Sequence, residues 1–391
     1  MNFYRTKMAV SSLSIYRNML EDRVVKKFVE LIDCLCMKRD AADFLNLYSD
    51  FFFTLVSCGP SFADYIIEQI IYDDNPFSRC CAAGEECGLL EEAAERDLNC
   101  LQHMAEISPA EIKASAHTQF SLEQNILSGL PEWEYLIPGG VISHKPGDIP
   151  AHQVEIREGL YGSRNWSDTI PELKNFYRKS GAGIFARYYA FNWEHGDRSG
   201  FLKGVPFPDP VRLSDLFGYE NERREVLENT LQFLKGYPAN NALLYGNRGT
   251  GKSSTVKALV NEYHSQGLRI IEVSKVLLSD FPAIIRRLRG SSRKFIIFVD
   301  DLTFEDSSEN YTALKAVLEG GLEMRPSNVL IYATSNRRHL IKEKFSDRLE
   351  PSLDKDDEIH KNDGVQEKLS LADRFGITVL FTPPDQEKYL S

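Results

Sequence analysis

Apolar residues recur along this chain with one spacing before about residue 130 and another after residue 211. In the first stretch Phe44, Leu47, Phe51 and Leu55, then Tyr65-Ile66-Ile67 and Ile70-Ile71, follow steps of three and four, and 89–101 and 108–115 continue in that style. That period predicts a mostly helical N-terminal domain over 1–130. Pro131, Pro138, Gly139-Gly140, Pro146-Gly147 and Pro150 then break the pattern. Between 156 and 201 lie Tyr161, Trp166, Phe176, Tyr177, Phe185, Tyr188, Tyr189, Phe191 and Trp193. Few basic residues interleave with them, so core or interdomain packing is expected here rather than base stacking. Pro206, Pro208 and Pro210 read as an extended linker, which makes 131–210 an aromatic-rich connecting region. From Val211 the texture becomes short apolar runs, 242–245, 269–273, 295–299, 329–333 and 377–381, separated by helix-length stretches. Such alternation predicts an α/β domain over 211–391, with a parallel sheet covered on both faces.

Charge sharpens the division. From Val211 onward 26 Lys and Arg face 27 Asp and Glu; the whole-chain totals of 46 and 57 leave 20 against 30 before it. An acidic first half is a poor general partner for nucleic acid, which needs basic patches. One local cluster, Arg286-Arg287-Leu-Arg289 with Arg293-Lys294, keeps such contacts open in the second half. All seven cysteines (Cys34, Cys36, Cys58, Cys80, Cys81, Cys87 and Cys100) fall in the first 100 positions. Their count is odd and their spacing matches no metal motif, so free buried thiols are expected. No leader pattern and no apolar run of about 20 residues occurs, which points to a cytoplasmic chain without a membrane span.

The candidate chemistry begins where the 242–245 run ends. Gly246-Asn-Arg-Gly-Thr-Gly-Lys252-Ser253 has the spacing of a phosphate-binding loop, between an expected strand and an expected helix. Gly246, Gly249 and Gly251 let the backbone curl so that the amides of Asn247, Arg248 and Thr250 and the following helix end, through Ser254, face phosphate oxygens. Lys252 reaches the β/γ-phosphates, and Ser253 is a candidate Mg²⁺ ligand. The run 295–299 ends in Asp300-Asp301, 48 residues after Lys252. Asp300 is placed to hold Mg²⁺ largely through its waters, and Asp301 to orient or activate an attacking water, with Glu305 as its stand-in. The run 329–333 delivers Thr334-Ser335-Asn336; Asn336 either contacts the lytic water or γ-phosphate or caps a following helix. ATP and Mg²⁺ are thus the expected ligands.

Four longer stretches carry a resemblance. Asp209-Pro-Val-Arg-Leu-Ser-Asp-Leu-Phe-Gly-Tyr-Glu220, the loop with its flanks from Pro238 to Ala258, Glu319-Gly-Gly-Leu-Glu323, and Ala333-Thr-Ser-Asn-Arg-Arg-His-Leu340 resemble the ATPase module of the AAA+ superfamily. More closely, they are similar to the uncharacterised ATP-binding proteins of DUF815. The resemblance covers nearly half the chain. It implies that Leu216, Phe217, Gly218 and Tyr219 pack against adenine, where apolar atoms suit a purine face. It further implies an arginine finger reaching a neighbouring subunit's ATP, either Arg374 in Leu371-Ala-Asp-Arg374-Phe-Gly376 or Arg348 in Ser346-Asp-Arg348. Arg374 could equally end a helix in a salt bridge. A finger acting in trans implies a homo-oligomer. The family's helical lid should follow the last run, and with the chain closing at Ser391 that lid is expected to be truncated or absent.

Two functions are consistent with these residues. One is an ATPase that couples hydrolysis to remodelling of an unknown protein partner. The other is a slow or non-hydrolysing nucleotide-gated binding module resembling helicase loaders, since Asp301 stands where many AAA+ proteins carry Glu. No Asn-Lys-x-Asp stretch for reading guanine occurs. Ser274-Lys-Val-Leu-Leu-Ser-Asp280 has neither the aromatic residue nor the glycine of a threading pore loop, so an unfoldase is not expected.

Overall fold

The computed structural model describes residues 3–37, 40–59, 61–133, 151–196, 199–302, 314–315, 318, 326–336 and 374–382. The chain divides into two compact units, Met1–Ala186 and Arg187–Ser391.

In the first unit the expected helical period is realised as α1 (Phe3–Ser11), α2 (Arg23–Met37), α3 (Ala41–Val56), α4 (Phe62–Tyr72), α5 (Pro76–Ala83), α6 (Gly88–Ala105), α7 (Pro109–Phe120) and α8 (Gln124–Ser128), followed by α9 (Ala151–Gly162), α10 (Ile170–Ser180) and α11 (Ile184–Arg187). Local signals fix several starts. Asp22 accepts the amides of Val24 and Val25 at 2.9 and 3.0 Å, and Ser61 accepts that of Asp64. Asn75 with Ser78 and Ser108 with Glu111 form reciprocal capping boxes, each followed by Pro at the first helical position. In α3 the buried face is Phe44, Tyr48, Phe51 and Leu55; Tyr48 takes the place expected for Leu47, because its hydroxyl reaches the Pro131 carbonyl at 2.7 Å. Phe28, Phe51, Phe62 and Trp133 meet with ring centroids 4.5–5.2 Å apart.

The first unit also buries one carboxylate. Asp97, 1% exposed on α6, accepts through Oδ2 the amides of Ser14, Ile15 and Tyr16 at 2.8, 2.7 and 3.1 Å. The turn after α1 therefore owes its amide satisfaction to a residue 80 positions later in the chain.

Among the described residues the second unit is built on seven strands, β1 (Ala190–His195), β2 (Gly200–Gly204), β3 (Ala242–Gly246), β4 (Leu268–Glu272), β5 (Lys294–Val299), β6 (Val329–Ser335) and β7 (Ile377–Phe381), in the order β2-β1-β4-β5-β6-β3-β7. Only β1 and β2 pair antiparallel; every other neighbour is parallel. The five runs read from the sequence are β3 to β7. In β3 to β6 alternate residues are buried in both directions, Leu244, Ile270, Ile296 and Leu330 as well as Leu243, Ile271, Ile297 and Ile331; in the edge strand β7 Val379 and Phe381 are buried and Thr378 is exposed. Both faces are therefore covered, as expected. On one face lie α12 (Glu220–Leu234), through Val226 and Phe233, and α13 (Lys252–Tyr263), through Val256, Leu259 and Val260. A further helix, α14 (Phe281–Leu288), joins β4 to β5.

The segment 131–210 does not behave as one connection. Trp166, Phe176 and Tyr177 are buried in the helical unit, whereas Phe191 and Trp193 sit on the β1–β2 hairpin that extends the sheet. Packing, not base stacking, is what these rings do. The basic cluster also comes apart: Arg293 is buried, and the Lys294 ammonium lies 4.9 Å from the centre of the Phe233 ring.

Asp97→Ala should leave three amides without their charged acceptor and destabilise the helical unit by about 2–4 kcal/mol. Denaturant unfolding followed on the helical signal checks this, and Asp97→Asn, which keeps an acceptor oxygen, should lose less.

Candidate functional site

After β3 the chain crosses two strand positions to β4, steps back through β5 and β6, and then passes over β3 to reach β7. Connections thus leave β3 and β6 in opposite directions, and their carboxyl ends mark the switch point at which α/β sheets place ligands. The glycine-rich loop lies there, with the ends of β5 and β6 beside it.

Gly246 enters the loop with φ of +133°, and a Cβ on it would stand 2.1 Å from the Phe381 carbonyl oxygen. The same oxygen accepts the Asn247 amide at 3.2 Å, so β7 anchors the loop from its outer side. Gly249 and Gly251 follow with φ of +76° and +79°, conformations that favour glycine. Among the described residues, no amide of residues 248–254 donates to a backbone carbonyl. Those groups, at the head of α13, form a nest for an anion. Arg248 and Gly249 are exposed, and Ser253 and Ser254 are half-buried.

Lys252 is 5% exposed and folds back over the loop, donating to the carbonyls of Asn247 at 2.6 Å and Gly246 at 3.3 Å. Burial pushes its pKa down, while the carboxylates of Asp300 and Asp301 pull the other way. Ser253 donates from Oγ to Oδ1 of Asp300 at 2.6 Å, which joins the helix after β3 to the end of β5. Asp301 takes a left-handed conformation, φ +51°, and its amide bonds both Asp300 Oδ1 (3.1 Å) and Thr334 Oγ1 (2.9 Å). Asn336 donates from Nδ2 to Asp301 Oδ1 at 2.6 Å.

Thr334 is the residue that sequence reasoning passed over. It donates to Asp300 Oδ1 at 2.5 Å while accepting from Asp301, and its carbonyl receives the Leu302 amide at 2.7 Å. A hydroxyl within an otherwise apolar strand was the available signal.

The expected adenine segment follows the 3₁₀ turn Leu213–Asp215. Gly218 and Tyr219 both have positive φ, +69° and +60°. Tyr219 lies with its ring 5.2 Å from that of Phe381, the residue that anchors the loop, and its buried hydroxyl has no partner among the described residues. Leu216 is half-buried, and Phe217 is 91% exposed. Arg374 does not approach the loop of its own chain. It precedes β7, whose far end, Phe381, faces Gly246, so at least about 13 Å of strand separates them. Glu305, Arg348 and the motif 319–323 lie outside the described residues.

The oxygen donors Ser253 and Asp300 suit a hard cation. Among the described residues no cluster of three or more His, Cys, Asp or Glu could hold a metal ion.

A parallel sheet that brings a glycine-rich loop against a strand-end carboxylate pair defines a P-loop α/β module. The chain belongs to the family described as "Protein of unknown function (DUF815)", which matches residues 186–391. It is 37% identical over 73 residues to the replication factor C large subunit of Staphylothermus marinus, covering 18% of this chain and 16% of that protein. Among solved structures it is similar to the RuvB Holliday junction branch migration motor of Thermotoga maritima (19% identical, 44% of this chain and 47% of that one, TM-score 0.28). A structure of katanin self-assembly is similar too (18% identical, 46% of this chain and 56% of that one, TM-score 0.30). The chain therefore spans less than two thirds of each of these relatives.

Thr334→Val keeps the shape but removes both a donor and an acceptor from the Asp300–Asp301 turn. A loss of about 1–3 kcal/mol in unfolding free energy is expected, measured by denaturant titration without ligand.

Proposed function

We propose that the second unit binds Mg²⁺-ATP at 246–254 and hydrolyses it, and that the cycle drives the helical unit against a protein partner. The observation that carries this reading is the 2.6 Å contact between Ser253 and Asp300 beside loop amides that no backbone carbonyl satisfies. In it the amides of 248–254 and the Lys252 ammonium hold the triphosphate, with Asn247 fixing the loop through the Phe381 carbonyl. Leu216, Phe217, Gly218 and Tyr219 present apolar and aromatic atoms to adenine. Ser253 and Asp300 hold Mg²⁺, which when bound neutralises phosphate charge. Asp301 takes the proton of the attacking water, with Glu305 as its stand-in, and Asn336 fixes the Asp301 carboxylate.

Because Arg374 sits at the opposite end of β7 from the loop of its own chain, a finger role requires a second copy, and a homo-oligomer belongs to the proposal. Arg348 is the competing finger. The second reading, a nucleotide-gated binding module with slow turnover, draws support from Asp301, whose carboxylate is already engaged by Asn336. A cytoplasmic site of action belongs to both readings. Nucleic acid remains a second partner class, and the separation of Arg293 and Lys294 from the Arg286–Arg287 pair speaks against it.

Calorimetry with Mg²⁺-ATP should show Lys252→Ala binding about 10- to 100-fold more weakly than the unaltered chain, the loss of one charge-assisted contact. Equal affinity would remove the loop from the site. Asp301→Ala together with Glu305→Ala should retain binding and slow phosphate release by about 10²-fold or more. Tight binding with negligible release in the unaltered chain would select the second reading.

A pH dependence follows from Lys252. Burial lowers its pKa in the free protein, and phosphate beside it favours the charged ammonium and raises it again. ATP binding should therefore take up protons above neutral pH, and affinity should fall as pH rises through the free-state pKa. Calorimetry in two buffers of different ionisation enthalpy measures that uptake, which Lys252→Ala should abolish.

A further inference from the structure

Three thiols of the helical unit meet where α5 gives way to α6, and nucleotide chemistry uses none of them. Cys81, on the buried face of α5, has its Sγ 3.3 Å from Sγ of Cys87, the N-cap residue of α6. Cys80 lies beside them and directs its own Sγ to the Glu86 carbonyl at 3.6 Å. Cys81 and Cys87 are buried and Cys80 is half-buried; all three are free thiols. A disulfide needs its sulfurs about 2.05 Å apart, so closure asks for roughly 1.2 Å of approach. The intervening segment can supply it. Residues 83–86 are exposed, and Gly84 ends α5 with φ of +79° and open space around it.

We propose that Cys81 and Cys87 form an oxidisable pair that closes to an intrachain disulfide and staples α5 to α6. With a diazene-type thiol oxidant the balance is complete. One thiolate adds to the N=N bond. The second sulfur then attacks the first, forming the S–S bond and breaking the S–N bond, and the oxidant leaves as a hydrazine carrying two protons and two electrons. The favoured partner of Cys87 is Cys81, whose sulfur is already in van der Waals contact; the thiol of Cys80 also neighbours that of Cys87 but is itself bonded to the Glu86 carbonyl.

The environment also sets the rate. Burial raises the pKa of Cys81 and of Cys87, and pushes that of Cys80 up to about 11. The thiolate is the reacting form, so at neutral pH the pair is protonated and slow. Closure should quicken about tenfold for each pH unit below the thiol pKa, until the oxidant's addition limits it.

The test treats the full chain with diamide, alkylates the remaining thiols under unfolding conditions and cleaves after Glu. Cleavage at Glu85 and Glu86 separates Cys81 from Cys87 unless they are joined. The expected result is a linked pair of fragments lighter by two hydrogens than their sum, assigned to Cys81 by fragmentation between positions 80 and 81. It should persist in Cys80→Ser and form faster at higher pH. A link through Cys80, a link between two chains, or fully alkylated Cys87 after exhaustive oxidation would each overturn the proposal. The unaltered chain decides by itself if Cys80→Ser fails to fold.

Discussion

A single carboxylate oxygen ties the carboxyl end of the sheet together. Oδ1 of Asp300 accepts from Ser253, from Thr334 and from the amide of Asp301, and thereby joins the helix after β3, the end of β5 and the end of β6. These are charge-assisted bonds in a half-buried place, stronger than their neutral equivalents. Remove the charge and two hydroxyls lose the acceptor that orients them. The loop on the other flank is fixed by different means. Gly246 must lie against the Phe381 carbonyl, and only a residue without a side chain can do so. A carboxylate on one side and a strand carbonyl on the other thus hold the amides of 248–254 in a shape that no backbone partner among the described residues uses up.

The same logic operates at the far end of the sequence. Asp97 satisfies three amides of the turn after α1, just as Asp300 gathers donors from three elements. Each unit therefore relies on a carboxylate that organises backbone over long separations, inside a core that closes within that unit. This is why the division falls after Ala186. Trp166, Phe176 and Tyr177 are committed to the helical core, while Phe191 and Trp193 are committed to the sheet.

Legibility followed the range of the interactions. The strands β3 to β6 could be read because burial on both faces leaves largely apolar runs, and β7, with Thr378 exposed, because Val379 and Phe381 keep its buried side apolar. The loop could be read because its glycines and lysine are local in sequence. The hairpin of β1 and β2 could not. It is assembled by cross-strand packing of rings on glycines, with Trp193 filling the space where a Cβ on Gly200 would stand and Tyr188 doing the same at Gly204. Nothing in the spacing of aromatic residues announces that arrangement, and the segment reads as a linker. Thr334 escaped notice for a related reason: its partners Asp300 and Asp301 are over thirty residues away, and alone it looks like an ordinary strand residue. Tyr48 displaced Leu47 because a buried phenol found a carbonyl, a contact that periodicity does not encode.

The conformation of Asp301 bears most directly on what the site can do. A non-glycine residue in the left-handed region costs about 1 kcal/mol or more, and such residues persist where their surroundings over-determine them. Here the surroundings are two bonds to its amide and one to its carboxylate, from Asp300, Thr334 and Asn336. A strand that simply continued would alternate its side chains and point two successive acids to opposite faces. The left-handed turn breaks that alternation, leaving Asp300 beside Ser253 and Asp301 beside Asn336. The two carboxylates thereby acquire separate partners and separate environments. Such a separation is the physical requirement for one acid to serve a cation while its neighbour serves a proton.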